Sequence, residues 1–388
     1  MTVFFIMGNH PRLSQAEIIS FLKTNDLTTA GNCILCDLAN QIDLPKLQDT
    51  LGGAVKIGII IGETACDTVI DDIFEYAKKN APQIGKLYFG ISCYNTSYDS
   101  KKDGLRLKQK LAKHNIASRW VQSRQQPLSS VVVKTNKLLS ARGIEFVIIH
   151  SGAKLLLGVT KTVQPFDEFS ARDYGRPYRD TASGMIPPKL AKIMINLARI
   201  TKNDALLDPF CGSGTILQEA LLMGYTRVIG ADISQKAIEN TKANMRWLSH
   251  YYKKLPSQTL YQTSVNSLHK SISPHSIKGI VTEPYLGPPL RGDESTRKLN
   301  DIVKKLVALY ASSFAAFKKL LAPDGKVVII APIIKNTRLP IFPEIRSAGF
   351  NHDTLFAHLY DDSGRQSFVY GRVGQKVWRE IFVFTLKP

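Results

Sequence analysis

The sequence has no long hydrophobic run. Its longest apolar stretches, such as residues 326–334, are short and broken by proline or charge. They fall far below the ~18 consecutive apolar residues of a membrane-spanning helix, so no membrane protein is expected. Cysteine is scarce: Cys33, Cys36, Cys66, Cys93 and Cys211 are the five in 388 residues. An odd, sparse set does not suit a secreted disulfide scaffold, and a reducing cytoplasm is the expected setting. Cys33-x-x-Cys36 has no second pair at zinc spacing. It reads as a strand with small buried residues rather than a metal or redox site. The eight histidines show no ligand spacing, so no metal is expected. Residues 1–8 lack a basic n-region and a small-residue cleavage site, and read as a strand rather than a signal peptide.

What is present is globular: 44% hydrophobic and 21% charged residues over a length that suits two or three domains. The charge is strongly one-sided, with 51 Lys and Arg against 32 Asp and Glu, a formal net charge of +19. That favours a polyanionic partner, nucleic acid being the commonest. The excess is localised. Residues 1–100 hold 7 basic and 11 acidic side chains, whereas residues 101–161 hold 13 basic and 2 acidic. Lys101, Lys102, Arg106 and Lys134 are the candidates for RNA contact in that segment, against the plainer reading of a solvated basic helix face.

Residues 1–75 alternate short apolar runs (3–7, 57–61) with helical patterns (14–22, 67–79), the first helix opened by Ser14-x-x-Glu17, a capping-box spacing. This predicts a small α+β unit. Residues 76–163 read as a second one: a strand at 87–93, a basic helix at 101–114 with Leu105, Leu107 and Leu111 among its apolar positions, and strands at 131–134, 146–150 and 154–159. Residues 164–180 carry charge and aromatics without a period and read as a linker. From 181 to 388 the pattern becomes strand–helix alternation, with strands at 206–207, 228–233, 279–282 and 326–330, helices at 216–223, 235–247 and 299–321, and a closing strand at 377–386. That is the pattern of a doubly wound α/β sheet.

The sharpest motif is Asp208-Pro209-Phe210-Cys211-Gly212-Ser213-Gly214-Thr215, between an apolar strand and a helix. A glycine-rich turn there lets a ligand approach the backbone at the carboxyl edge of the sheet. It has no lysine after its second glycine, so it is not a P-loop, and it is not G-x-G-x-x-G. The next strand ends at Asp232, with Ile233 beside it, where an acid is placed to take ribose hydroxyls.

These residues resemble motif I of class I S-adenosylmethionine-dependent methyltransferases, in the variant of the amino-group methylases, and Asp232 matches that family's ribose-binding acid. Arg176-Pro177-Tyr178 and the run Gly184-Met185-Ile186-Pro187-Pro188-Lys189-Leu190-Ala191 resemble the motif that precedes motif I in THUMP-containing RNA methyltransferases. The resemblance, from about Phe169 to Tyr285, is to the eukaryotic and archaeal tRNA guanine-N2 methyltransferases that act at position 10. It implies a Rossmann-like methyltransferase domain preceded by ferredoxin-like and THUMP-like α+β units, with S-adenosylmethionine as cofactor and tRNA as partner. It also raises the expectation of a small activating protein; without one, the chain is expected to be a monomer. The implied cofactor contacts are Asp208, Phe210, Gly212, Ser213, Gly214, Thr215, Asp232 and Ile233. The family's adenine-binding acid is missing, and Asn266 in Ser264-Val265-Asn266 stands in its place with an amide.

The family's catalytic motif is an acid or Asn, then Pro-Pro and an aromatic. Here the chain reads Thr282-Glu283-Pro284-Tyr285. Either Glu283 takes the acid position, or Thr282 does and Tyr285 falls on the aromatic; Glu283 is favoured because it ends an apolar strand. The lone pair of a base amine is delocalised into the ring, so the enzyme must align nitrogen, methyl carbon and sulfur. Acceptors on the amine hydrogens, a carboxylate and the Pro284 carbonyl, stabilise the charge that develops. Tyr285 is placed to stack on the base. Arg172 and Arg176 are candidates for RNA phosphate or for the cofactor-site loop, or for a structural role. The loop from Asp361 to Lys376 is glycine-rich and basic, and reads as solvated. Two competing classes remain open: a DNA amino-methyltransferase acting on adenine N6 or cytosine N4, and a catalytically inactive RNA-binding scaffold.

Overall fold

The computed structural model describes residues 1–388 apart from 40, 97, 180–184, 254, 291, 361–363, 373 and 388. The chain divides into two compact units, one of Met1–Gln15 and Thr24–Asp167, the other of Ala16–Lys23 and Glu168–Pro388. Among the described residues no helix is long and apolar enough to cross a membrane.

The first unit is built on one eight-stranded sheet. Its strands are β1 (Thr2–Met7), β2 (Thr28–Ala30), β3 (Cys33–Asp37), β4 (Ala54–Thr64), β5 (Leu87–Tyr94), β6 (Ser118–Trp120), β7 (Gly143–Ser151) and β8 (Lys154–Val163). Their order is β2-β3-β1-β4-β8-β7-β5-β6. Helix α1 (Pro11–Leu22) begins in this unit and its residues from Ala16 on belong to the second, while α2 (Leu44–Thr50), α3 (Val69–Lys79), α4 (Lys101–Lys113) and α5 (Ser130–Thr135) lie wholly in the first. Successive strand residues face opposite sides, and β7 shows it. Phe146 and Ile148 join one core with Ile73, Phe74, Leu107 and Leu111 of α3 and α4. Val147 and Ile149 join another with Phe4, Ile6 and Ala30.

Several expectations are corrected here. Residues 1–75 and 76–163 share this sheet, because β4 pairs antiparallel with β8 along its length. Residues 131–134 form the middle of a helix, α5, not a strand: the Ser129 side chain accepts from Val132 N and caps the turn, and this local bond outweighs the β-preference of three valines. Helix α1 begins at Pro11, before Ser14. Proline suits the first helical turn, and the Ser14 hydroxyl donates back to the His10 carbonyl at 3.0 Å instead of capping. Leu107 and Leu111 are fully buried, but Leu105 is exposed. Cys33 and Cys36 are buried on β3 with their thiols free.

Helix α6 (Phe166–Tyr174) occupies most of the stretch read as an irregular linker. Its buried positions, Phe169 and Arg172, lie one turn apart, a spacing hidden by the polar side chain at one of them. The second unit continues with α7 (Pro188–Leu197), β9 (Ala205–Asp208), α8 (Thr215–Leu222), β10 (Arg227–Asp232), α9 (Gln235–Tyr251), β11 (Gln258–Gln262), β12 (Ile277–Thr282), α10 (Thr296–Leu320) and β13 (Leu321–Ile334). It closes with β14 (Thr337–Arg338), α11 (Phe342–Ser347), β15 (Phe350–His352), β16 (Phe368–Tyr370) and β17 (Val377–Leu386). The sheet runs β11-β10-β9-β12-β13-β17-β15, with β14 on β13 and β16 on β17. The pairs from β11 through β13 are parallel, and β17 is antiparallel to β13. Helix α10 packs Leu306, Tyr310, Phe314 and Phe317 against Leu207, Ile280, Val327 and Ile329.

The order reverses between β9 and β12: the chain builds outward from β9 to β11, then returns to the other side of β9. At such a switch point the connections leave in opposite directions, opening a crevice at the carboxyl ends of the two strands. Asp208 ends β9 and Thr282 ends β12.

Candidate active site

A cavity of about 630 Å³ lies at that crevice, a size that suits a nucleoside-like ligand. One wall is the turn after β9. Gly214 caps α8 with φ 85°, and a Cβ there would come within 2.9 Å of Thr241, so the position requires glycine. Gly212 has φ 52° and open space where a Cβ would be, which leaves room for a ligand at the backbone. Helix α9 braces the turn from behind. Thr241 Oγ1 donates to the Gly212 carbonyl at 2.7 Å, and Asn244 Nδ2 to the Ser213 carbonyl at 2.9 Å. Cys211 is buried, which pushes its thiol up and makes it an inert packing residue.

Asp232 sits at the end of β10 beside this turn. Its Oδ2 accepts from Gly212 N at 3.0 Å and its Oδ1 from Ser234 N at 2.9 Å. Both oxygens are thereby fixed in place with lone pairs left over, an arrangement suited to a ligand diol. Asp208 is fully enclosed. Burial raises its carboxyl to about 7, and the nearby charges of Asp232 and Glu283 add to the rise, against hydrogen bonds from Thr282 and Phe210 N that lower it. Those bonds, 2.6 Å from Thr282 Oγ1 and 3.1 Å from Phe210 N, both end on Oδ1.

The opposite wall is the segment after β12. Glu283, Pro284 and Tyr285 all line the cavity. Pro284 is buried, while the Tyr285 ring is 53% exposed and accessible for stacking. Thr282 is fully buried and gives its hydroxyl to Asp208; it is not among the cavity-lining residues. The geometry therefore favours Glu283 over Thr282 at the acid position. Glu283 is not isolated: Arg379 of β17 donates from Nε to Oε1 at 2.6 Å and from Nη2 to Oε2 at 3.5 Å.

The other anticipated residues are placed as follows. Phe210, Gly212, Ser213, Thr215 and Ile233 line the cavity, and Gly214 shapes it from behind. Asn266 does not line it; it is exposed on the short 3-10 turn after β11. Arg172 is no phosphate ligand. It is 2% exposed, with Nε and Nη2 on the two oxygens of buried Glu219 at 2.6 and 3.3 Å. Arg176 is also buried. It donates to Thr215 Oγ1 at 2.6 Å and lies 3.0 Å from Met185 Sδ, bracing the glycine turn rather than facing RNA. Lys101, Lys102 and Arg106 are exposed on α4 of the first unit. Lys134, on α5, is paired with Asp167 at 2.8 Å. Gly184 of the segment before α7, and Asp361, Asp362, Ser363 and Val373 of the basic loop, lie outside the described residues. In that loop Arg365 is bound to buried Glu380.

Sequence reading missed Ser234, Lys236, Ala237 and Asn240, the first turns of α9, which also line the cavity. Their signal was Ser234, the helix cap two residues after Asp232. It also missed Arg379, which stands in an apolar closing strand and belongs to no motif.

Fold and site together define a methyltransferase domain of the Rossmann-like type. The profile of the family described as an RMKL-like methyltransferase domain matches residues 176–337. A DNA methylase profile matches residues 63–243 and so stops short of Glu283. A tRNA (guanine(10)-N2)-dimethyltransferase of Methanothermobacter thermautotrophicus is 48% identical over 81 residues, 21% of this chain and 22% of that one. The chain thus spans well under two thirds of that relative's length. A probable tRNA (guanine(10)-N2)-dimethyltransferase of Methanothermococcus thermolithotrophicus is 33% identical over 121 residues, 30% of this chain and 74% of the relative. The crystal structure of TrmN from Thermus thermophilus shares the fold, with a TM-score of 0.55 and 16% identity over 100% of both chains. The chain belongs to the family of tRNA (guanine(10)-N2)-dimethyltransferases.

Proposed function

We propose that this chain acts in the cytoplasm and transfers a methyl group from S-adenosylmethionine to the N2 amine of a tRNA guanosine, the one at position 10. The observation that carries the reading is the sharing of one cavity: the glycine turn and Asp232 form one wall, and Glu283, Pro284 and Tyr285 the other. The residues fit the cofactor, because Gly212 leaves space at the backbone and both Asp232 oxygens are fixed with acceptor capacity to spare. When bound, S-adenosylmethionine supplies an electrophilic methyl on a sulfonium. Asp232 holds the ribose hydroxyls, and the Gly212–Gly214 turn admits the cofactor against its backbone. Tyr285 stacks on the guanine and fixes its plane. Glu283 and the Pro284 carbonyl accept the amine hydrogens, drawing the nitrogen lone pair out of conjugation and stabilising the positive charge that builds on it.

RNA rather than DNA is favoured by the basic first unit, which precedes the glycine turn in the chain and presents Lys101, Lys102 and Arg106 to solvent. The test is to incubate unmodified tRNA with the purified chain and cofactor, digest it, and map N2-methylguanosine and N2,N2-dimethylguanosine by mass spectrometry. Methylated guanosine at position 10 is the expected result. Methylation confined to DNA adenine or cytosine would overturn the reading, as would cofactor binding without transfer to any tRNA.

A further inference from the structure

We propose that Arg379 is a positioning residue for methyl transfer. From β17 it aims one oxygen of Glu283 at the target amine. The proposal rests on the methyl-transfer reading above. Arg379 is buried and does not line the cavity, so it acts through Glu283. One strand, β13, lies between β12 and β17 in the sheet order β12-β13-β17, so the guanidinium must reach over β13 to meet the acid. The extra methylene of glutamate closes this distance. An aspartate at 283 would fall about 1.5 Å short of the bond, which is 2.6 Å long from Nε to Oε1. The departure from the family's usual acid is thus matched by a cation elsewhere in the fold.

The two carboxylate oxygens are held unequally. Oε1 takes the short bond from Nε, while Oε2 lies 3.5 Å from Nη2, and Nη2 also donates to the Met185 carbonyl at 3.1 Å. Oε2 is therefore the oxygen with capacity for an amine hydrogen. Met185 itself lines the cavity, so one guanidinium ties the acid to a second wall of the site. The charge of Arg379 is not spent on its chain neighbour, because Glu380 is engaged by Arg338, Arg365 and Ser367. Arg379 is bonded to Glu283, and Asp208 from β9 and Tyr310 from α10 lie within electrostatic reach of it, while Asp232 from β10, Lys236 from α9 and Arg179 line the same cavity. With Asp208 buried close by, removing the guanidinium leaves two neighbouring carboxyl groups without the bound cation, which disfavours the ionised acceptor.

The experiment is single-turnover methyl transfer to tRNA as a function of pH, with cofactor affinity and thermal melting measured alongside. It compares the wild type with Arg379→Gln, Arg379→Lys, Glu283→Gln and the Glu283→Gln/Arg379→Gln double variant. Arg379→Gln should slow transfer on the order of 10²-fold, leave cofactor affinity unchanged, and move the acid limb of the rate profile to higher pH. Arg379→Lys should recover part of the rate and bring the limb back. In the Glu283→Gln background, Arg379→Gln should add no further loss. A folded Arg379→Gln with wild-type rate and pH profile overturns the proposal, and so does an equal loss in both backgrounds. A wild type that binds cofactor yet methylates no tRNA overturns the methyl-transfer reading itself, and is told apart because the variants are then never reached.

Discussion

Asp208, at the end of β9, accepts a 2.6 Å hydrogen bond from the hydroxyl of Thr282, at the end of β12. Both side chains are buried, and the bond joins the start of the glycine turn to the residue before Glu283. It fixes the two walls of the crevice at the point where the strand order reverses. Thr282→Val keeps the shape and removes the donor, leaving Asp208 Oδ1 with the Phe210 amide alone. The expected cost is about 1–3 kcal/mol of folding stability, with a matching loss of transfer rate, and Thr282→Ser should restore both. Urea denaturation reads the first and single-turnover kinetics the second. A valine variant as stable as wild type would show that the bond does not join the walls.

The raised pKa of Asp208 has a consequence for stability whose sign can be tested. An unfolded aspartate titrates near ~3.9, whereas burial holds Asp208 at about 7 in the folded chain. Between these values the folded state binds the proton more tightly than the unfolded state. The contribution of Asp208 to stability is therefore fully present below pH ~4 and is lost as pH rises through about 7, by at most about 1.4 kcal/mol per pH unit. Asp208→Asn keeps an acceptor for Thr282 and Phe210 N but carries no titrating proton. Its stability relative to wild type should climb across that window and level off above it. Denaturant titrations of both proteins from pH 5 to pH 8, roughly the span in which the two curves should diverge, check this; a constant gap would contradict it.

The cofactor wall was legible in the sequence because each part is local. The turn from Asp208 to Thr215 and the acid at Asp232 sit at strand ends, and strand ends in an alternating α/β pattern define the binding edge. The partner of Glu283 was not legible. Arg379 lies 96 residues further along the chain, on a strand whose register against β13 sets what it touches, and no local pattern encodes that register. The same holds for Arg172. Its charge in a polar stretch left RNA phosphate, the cofactor-site loop and a structural role all open, and its position one turn from Phe169 turns it inward onto Glu219. Short-range bonds explain the remaining misreadings: the Ser129 cap makes a helix of a valine run, and Pro11 starts α1 ahead of the Ser14-x-x-Glu17 spacing.

Asp232→Ala should weaken cofactor binding by more than a ribose contact alone, since the carboxylate also anchors Gly212 N and Ser234 N. Loss of charge-assisted bonds of about 1.5–3 kcal/mol each predicts a drop of at least tenfold in affinity. Asp232→Asn keeps one acceptor oxygen and should fall between wild type and alanine. Isothermal calorimetry with S-adenosylmethionine measures both, and unchanged affinity in Asp232→Ala would remove this residue from the binding wall.

Arg172 and Glu219 form a pair buried on both sides, at 2% and 1% exposure. Breaking it takes both guanidinium bonds from the buried Glu219 carboxylate and leaves Lys192 Nζ, 4.0 Å from Oε2, as its neighbouring cation, so Arg172→Ala should cost about 3–5 kcal/mol of stability and lower the midpoint of unfolding. The salt dependence of tRNA binding by the folded fraction should stay as in the wild type, since no phosphate contact is lost. Arg172→Met with Glu219→Leu, which removes both charges, should recover much of the stability. The opposite pattern, an unaltered midpoint with a shallower salt slope, would return Arg172 to the RNA-binding surface.

Lys101, Lys102 and Arg106 differ from Arg172 in being exposed on one helix, α4. Arg106 makes one ion pair, at 3.3 Å with Asp103, while its own side chain stays 71% exposed. An exposed pair of this kind is worth little and yields readily to a competing phosphate. If the helix tracks the tRNA backbone, each cation that neutralises a phosphate releases counterions and adds roughly 0.7–0.9 to the slope of log affinity against log salt. Replacing all three with glutamine should therefore lower that slope by about 2–3, with folding stability nearly unchanged because none of the three is buried. Cofactor binding, housed in the second unit, should not move. Lys134→Gln makes the internal comparison. It stands on α5 rather than α4, so if α4 tracks the tRNA backbone its effect on the slope should be smaller than that of Lys101→Gln or Lys102→Gln. Filter-binding or fluorescence titrations between ~50 and ~200 mM salt give the slopes. A triple variant whose slope matches the wild type would assign the basic face of α4 to solvation and send the search for the tRNA surface to the cations of residues 108–161.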